Sequence, residues 1–416
     1  MKLKNNLMNT PKLSGDYDIV VFSHLRWEFV IQRPQHIINR LAKDRKILFI
    51  EEPIPFTEEN KGTAHTIKAS KNITVLQPRI SWDQMHDELE PLVTEYMDKL
   101  AINEPILWFY SAGFGEMVKR IDHSLVVYDV MDELSAFKGA SPRHLEQERE
   151  LLKYADVVFT GGKSLYESKS QLHDNVHCFP SSVDRVHFEK ALKKSIKIPT
   201  DLAEIRKNNK KIAGFYGVID ERIDLDLLAQ TADLMQEVSF VMIGPVVKIN
   251  EADLPRRDNI FYLGSKPYAQ LPEYLKGIDI AIMPFAMNES TKFISPTKTL
   301  EFMAALKPII STPIYDVVRD YQKEVKIVHT AEEFKDALTF YLQETPAEKK
   351  QREKLEIAVI ERTSWDNTVS AMKGLMAEAL DKLQIFDEVS YLPDRKGYTS
   401  PLGVANFNFT VGYEKE

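Results

Sequence analysis

Along this chain, short unbroken apolar runs alternate with longer stretches whose apolar positions recur every three or four residues. In the first half the unbroken runs are DIVVFS (18–23), KILFIEE (46–52), ITVLQP (73–78), ILWFYS (106–111), LVVYDV (125–130), DVVFTG (156–161) and VHCFPS (176–181). Helical periodicity fills most of the gaps, at 34–42, 85–100, 142–154 and 164–172. Strands that are apolar on both faces and separated by helices predict a parallel sheet covered on both sides. A polar, lysine-rich stretch then interrupts the pattern, and 191–210 reads as a linker. Beyond it the alternation restarts, with runs at 211–218, 238–245, 259–265, 278–285, 308–312 and 325–330 and helices at 226–234, 271–276, 296–306 and 331–342. The fold class predicted is α/β, with two doubly wound, Rossmann-like units in tandem, 1–190 and 211–363. Such sheets bind ligands at the carboxyl ends of their strands, so two of them facing each other make a cleft for a donor and an acceptor. Residues 345–383 read as helical, and 384–416 follow no usable period.

Composition changes the picture only by exclusion. The 416 residues are 44% hydrophobic and 28% charged, enough apolar material for two cores. A net charge of −8 argues against nonspecific nucleic-acid binding. The single cysteine, Cys178, excludes an internal disulfide and a thiolate metal cluster, and its apolar setting reads as an inert thiol. With no signal-like or membrane-spanning apolar run, the expected location is the cytoplasm, with peripheral contact at the inner face of the membrane left open.

The strongest chemical signal is SPTKTLEFMAA (295–305), which follows the strand IDIAIMPF and a polar loop. Ser295 is a good N-cap with Pro296 at the first helical position. The turn of Ser295, Pro296, Thr297 and Thr299, with the free N–H groups of a helix start (Pro296 itself having none), outlines a diphosphate site, with Lys298 adding a point charge. Glu301, one turn on, suits ribose hydroxyls. A capped surface helix is an equal reading of these residues alone. Glycines close three strands of the second unit, at Gly214–Gly217, Gly244 and Gly264, next to Arg222, Ser265 and Lys266; glycine there lets a backbone approach a ligand. FTGGKS (159–164) imitates a P-loop, but Val157 stands where the first glycine is required. In the first unit the loop SHLRWEFVIQRPQH (23–36) carries His24, Trp27, Arg33 and His36, which suit a sugar or lipid-phosphate acceptor as well as a structural loop. YDVMDE (128–133) offers Asp132 as an acid or base. Asp129 and Asp132 lack Asp-x-Asp spacing, so no metal and no other cofactor is expected.

Together these segments resemble the two-domain GT-B glycosyltransferases, in particular the retaining family 4 enzymes and, among them, bacterial teichuronic-acid and cell-surface polysaccharide transferases. WEFVIQRPQHIINRLA, VVYDVMDE, CFPSSVDRVHF, GFYGVID and SPTKTLEFMAALKPIIST carry the likeness. The resemblance implies a hexosyltransferase using a UDP- or GDP-sugar as substrate and a glycan or lipid-linked acceptor, with 1–190 as acceptor domain, 211–363 as donor domain and 364–383 as a helix crossing back onto the first unit. It implies diphosphate binding by Arg222 and Lys298 and ribose binding by Glu301. The first glutamate of the family's Glu-x7-Glu motif falls at Phe293, so Glu289 is the candidate substitute. The family's histidine falls at Met131, leaving Asp132 or His24. Base contacts are expected near 262–266. A nucleotide-sugar epimerase, or a degenerate nucleotide-sugar-binding scaffold, stands as the alternative.

Overall fold

The computed structural model describes residues 17–137, 140–207 and 211–390, with side chains to 383. Eight strands form the first sheet: β1 (Ile19–Ser23), β2 (Ile47–Glu51), β3 (Thr63–Lys68), β4 (Ile73–Arg79), β5 (Ile106–Phe109), β6 (Leu125–Val130), β7 (Val157–Thr160) and β8 (Val176–Cys178). Their order is β3-β4-β2-β1-β5-β6-β7-β8, with every pairing parallel except β3 on β4. Six parallel strands form the second: β9 (Lys211–Tyr216), β10 (Val238–Ile243), β11 (Ile260–Tyr262), β12 (Ile280–Met283), β13 (Ile309–Ser311) and β14 (Val325–Ile327), ordered β11-β10-β9-β12-β13-β14. In both sheets the order reverses beside the first strand, between β1 and β5 and between β9 and β12. That reversal opens a crevice at the carboxyl ends.

The unbroken apolar runs have a direct cause. Side chains alternate between sheet faces. In the first sheet Val21, Phe49, Trp108 and Phe159 face one core, while Phe22, Ile50, Phe109 and Val158 face another. The first of these cores is closed by the far end of the chain. The helix Trp365–Ser390 lays Trp365, Val369, Met372, Met376 and Leu380 against it, at spacings of three and four residues.

Two elements depart from the expectation. Strand β3 has no counterpart in the sequence pattern, because Thr63–Lys68 is an exposed antiparallel edge without an apolar run. The expected linker holds a helix, Thr200–Arg206, whose Leu202 is fully buried and reaches to Gly277 of the second unit; residues 208–210 lie outside the described residues, as does the extension from 391 onward. No helix among the described residues is long and apolar enough to cross a membrane.

Candidate active site

The two sheets' carboxyl ends enclose a cleft of about 910 Å³. Its floor on the second sheet is built from glycine turns. Gly217 follows β9 with φ +145°, Gly244 follows β10 with φ +148°, and Gly264 follows β11 with φ +67°. The Gly217 N–H donates to the Ile243 carbonyl at 2.8 Å, and the Gly244 N–H to the Gly264 carbonyl at 2.9 Å, so the three turns form one rung. A Cβ on Gly244 would lie 1.8 Å from the Gly217 carbonyl oxygen, and one on Gly217 would lie 2.1 Å from Lys298 Cε. Glycine at 217 is what leaves room for the lysine over the turn.

Lys298 stands on the helix Thr297–Ala304. Pro296, not Ser295, is its N-cap, and no side chain caps it; Ser295 precedes it, its carbonyl accepting from the Ser181 hydroxyl of the first unit at 2.7 Å. Ser295, Pro296, Thr297, Lys298 and Glu301 line the cleft. Thr299 does not: it is fully buried with its hydroxyl 3.6 Å from the Met283 sulfur, because its place on the helix faces the sheet. Burial lowers the Lys298 pKa, opposed by Glu301; burial raises that of Glu301, opposed by Lys298. Ligand charges would meet this pair in a poorly solvated setting, where electrostatics are strong. Arg222 also lines the cleft. Its Nε donates to both Asp220 carboxylate oxygens at 3.0 and 3.1 Å and its Nη2 to one at 2.7 Å, while its Nη1 has no hydrogen-bond partner among the described residues. Ser265 and Lys266 border the same wall, with Lys266 paired to Asp201 at 2.8 Å.

Across the cleft Asp132 faces Arg222, Lys248 and Lys298. Burial pushes its carboxyl up to about 6, against the pull of those cations. Trp27 reaches the cleft with its ring edge-on to Phe49. Of the other residues expected in the first unit, Arg33 borders the cleft, whereas His36 and His24 do not. Arg33 is 4% exposed: its Nε lies 3.0 and 3.1 Å from Asp129 and its Nη1 donates to the Phe179 carbonyl at 2.7 Å, so its charge is committed to a buried carboxylate at the cleft edge rather than to an acceptor. His36 stacks on Trp365 at 5.0 Å and meets Tyr268 edge-on, an interdomain packing role away from the cleft. His24 is also absent from the cleft wall, and burial lowers its pKa to about 4, leaving a weak base. Glu289 sits exposed outside the cleft on the turn Glu289–Thr291, so it does not replace the acid missing at Phe293. Phe293 instead packs against the first unit's core.

Several participants escaped the sequence reading. Tyr216 and Tyr268 line the donor side. Phe137 of the first unit lies 5.5 Å from the Arg222 guanidinium and 4.6 Å from the Lys248 ammonium, a cation–π contact between the units. Only Tyr216, inside the motif GFYG, had a usable signal.

Residues 210–344 match the family model described as Glycosyl transferases group 1. Over 237 residues the chain is 26% identical to TuaH of Bacillus subtilis (strain 168), itself provisionally assigned as a teichuronic acid biosynthesis glycosyltransferase. That alignment covers 54% of this chain and 60% of TuaH. Among solved structures, the E. coli trehalose-6-phosphate protein bound with UDP-2-fluoro glucose superimposes with a TM-score of 0.63 at 12% identity, over 87% of this chain and 99% of that one. Sucrose-phosphate synthase from Thermosynechococcus elongatus gives 0.61 at 13%, over 90% and 99%. The chain therefore has the two-domain GT-B fold, residues 210–344 of its second unit match the glycosyl transferases group 1 model, and its sequence is similar to that of a teichuronic acid biosynthesis glycosyltransferase.

Proposed function

We propose that this protein transfers a hexosyl group from a nucleoside-diphosphate-sugar, UDP- or GDP-linked, to a hydroxyl of a glycan or lipid-linked acceptor, with retention, in cell-surface polysaccharide synthesis. The observation that carries the reading is Lys298 poised over the Gly217–Gly244 rung, at the mouth of the second sheet and facing the first unit. The likeness to TuaH supports the pathway, and the UDP-sugar in the E. coli structure supports the donor class.

In this reading the bond between the anomeric carbon and the β-phosphate oxygen breaks, and its electron pair leaves with the diphosphate. Lys298, the free Nη1 of Arg222 and the N–H groups at 297–298 meet the growing charge. Preorganised cations of the chain carry this load, and no metal is invoked. The acceptor oxygen adds to the same face of the sugar, and its proton passes to the departing phosphate oxygen. Asp132 orients that hydroxyl from across the cleft, Glu301 holds the ribose and Trp27 backs the acceptor. Closure of the two units excludes water.

A thermal-shift screen with UDP-, GDP- and ADP-sugars identifies the donor, and product analysis with a lipid-linked glycan tests transfer. Lys298→Ala should cut turnover by about 10²-fold with the fold intact. Unaltered turnover in that variant removes the phosphate role, and a sugar isomer formed from donor alone reassigns the protein as an epimerase.

A further inference from the structure

Behind the cleft lies a second cavity, of about 510 Å³, where three parts of the chain meet. The first unit contributes Lys163, Ser181 and Ser182, the second contributes Arg319 and Asp320, the turn before the helix Trp365–Ser390 contributes Arg362 and Ser364, and its first turn Asn367 and Thr368. Its charged lining is three cations against one carboxylate. Lys163 pairs with Asp320. Arg319 pairs with Asp316 and with Glu167, both at 2.7 Å. Arg362 makes no ion pair among the described residues, though its charge is felt by Glu324. It is exposed at the cavity's edge.

Two further features mark the place. Ser364 caps the 26-residue helix, its hydroxyl accepting from the N–H groups of Asp366 and Asn367 at 3.2 and 3.4 Å; the first-turn acid Asp366 is paired to Arg40 and Lys43 and does not line the cavity, so the positive end of a long helix is left to it. At the opposite wall Ser182 is 3% exposed and its hydroxyl has no partner among the described residues. A buried polar atom left unpaired is costly and uncommon.

We propose that this cavity is a second anion site, taking a small phosphate-bearing molecule. One phosphate oxygen would accept from the Ser182 hydroxyl, and others would accept from Arg362 and from the first turn of the long helix. Because Ser181 borders both cavities and its hydroxyl holds the Ser295 carbonyl, a ligand here would touch the segment that carries Lys298. The site does not rest on the transferase reading.

The test is calorimetric titration of the full chain with inorganic pyrophosphate at fixed ionic strength. Wild type should show two classes of site. Lys298→Ala should retain the rear class, and Arg362→Glu should weaken it at least tenfold. Asn367→Asp separates ligation from folding: a second first-turn carboxylate, placed at a position that lines the cavity, favours the helix but repels an anion, so it should weaken binding without lowering thermal stability. A single class lost in Lys298→Ala, or isotherms unchanged by both Arg362→Glu and Asn367→Asp, overturns the proposal.

Discussion

Replacing Gly217 by alanine separates strain from function. The new Cβ would fall 2.1 Å from Lys298 Cε and 2.8 Å from its Nζ, at a residue with φ +145°. The backbone cost is about 1–3 kcal/mol for a non-glycine residue in a sparsely populated region. The clash itself is cheap to relieve, because the far end of a lysine can swing away. The functional cost is larger, since a displaced ammonium no longer meets the diphosphate. A hydrogen bond to a charged group contributes about 1.5–3 kcal/mol, and roughly 1.4 kcal/mol is a factor of ten in rate. The expected loss in kcat/KM is therefore roughly 10- to 150-fold, with a drop of a few degrees in melting temperature. The assay is a double-mutant cycle with Lys298→Ala. If Gly217→Ala acts by evicting the lysine, the double variant should be no slower than the worse single variant. Losses that multiply, or a Gly217→Ala enzyme at wild-type rate, refute the reasoning.

The pH profile of kcat/KM should fall as pH drops through about 6, because the Asp132 carboxyl, raised by burial, becomes protonated there; Asp132→Asn should be slow with that limb flattened. Lys169 is 2% exposed and bridges Glu133, the residue after Asp132, at 2.7 Å and Glu148 at 2.8 Å. Lys169→Met leaves the buried Glu148 and the half-buried Glu133 without a cation and should lose about 3–5 kcal/mol in urea unfolding; a loss under about 1 kcal/mol would contradict the role assigned. Arg33→Met, which strips Asp129 of its partner, should likewise lower unfolding stability by about 3–5 kcal/mol, and a variant of full stability with a raised acceptor KM would restore Arg33 to the acceptor site.

Both sheets were legible because their strands are buried on two faces and written as continuous apolar runs; β1, β6 and β9 fall within a residue or two of expectation. Strand β3 was not, since an edge exposed to water needs no such run. In the site, Lys298 and the strand-end glycines could be placed because a helix start and a turn are local properties. The roles of Arg33, His36 and His24 could not be read for the opposite reason. A polar residue in a loop at a strand's carboxyl end has the same local signature whether it meets a ligand or a buried partner. The partners that decide, Asp129, Trp365 and the enclosing backbone at Tyr110, lie 96, 329 and 86 residues away in sequence. Likewise, Glu289 was placed by motif spacing, but the turn that carries it points it to solvent.

The helix Trp365–Ser390 makes the beginning of this protein depend on its end. During synthesis the first sheet leaves the ribosome with Val21, Phe49 and Trp108 bare on one side, and that side stays wet until the whole second unit has been made. A nascent chain in this condition is sticky. Fragments stopped before residue 365 should need a holding chaperone, whereas the same fragments given the missing helix as a separate peptide should recover a protected core.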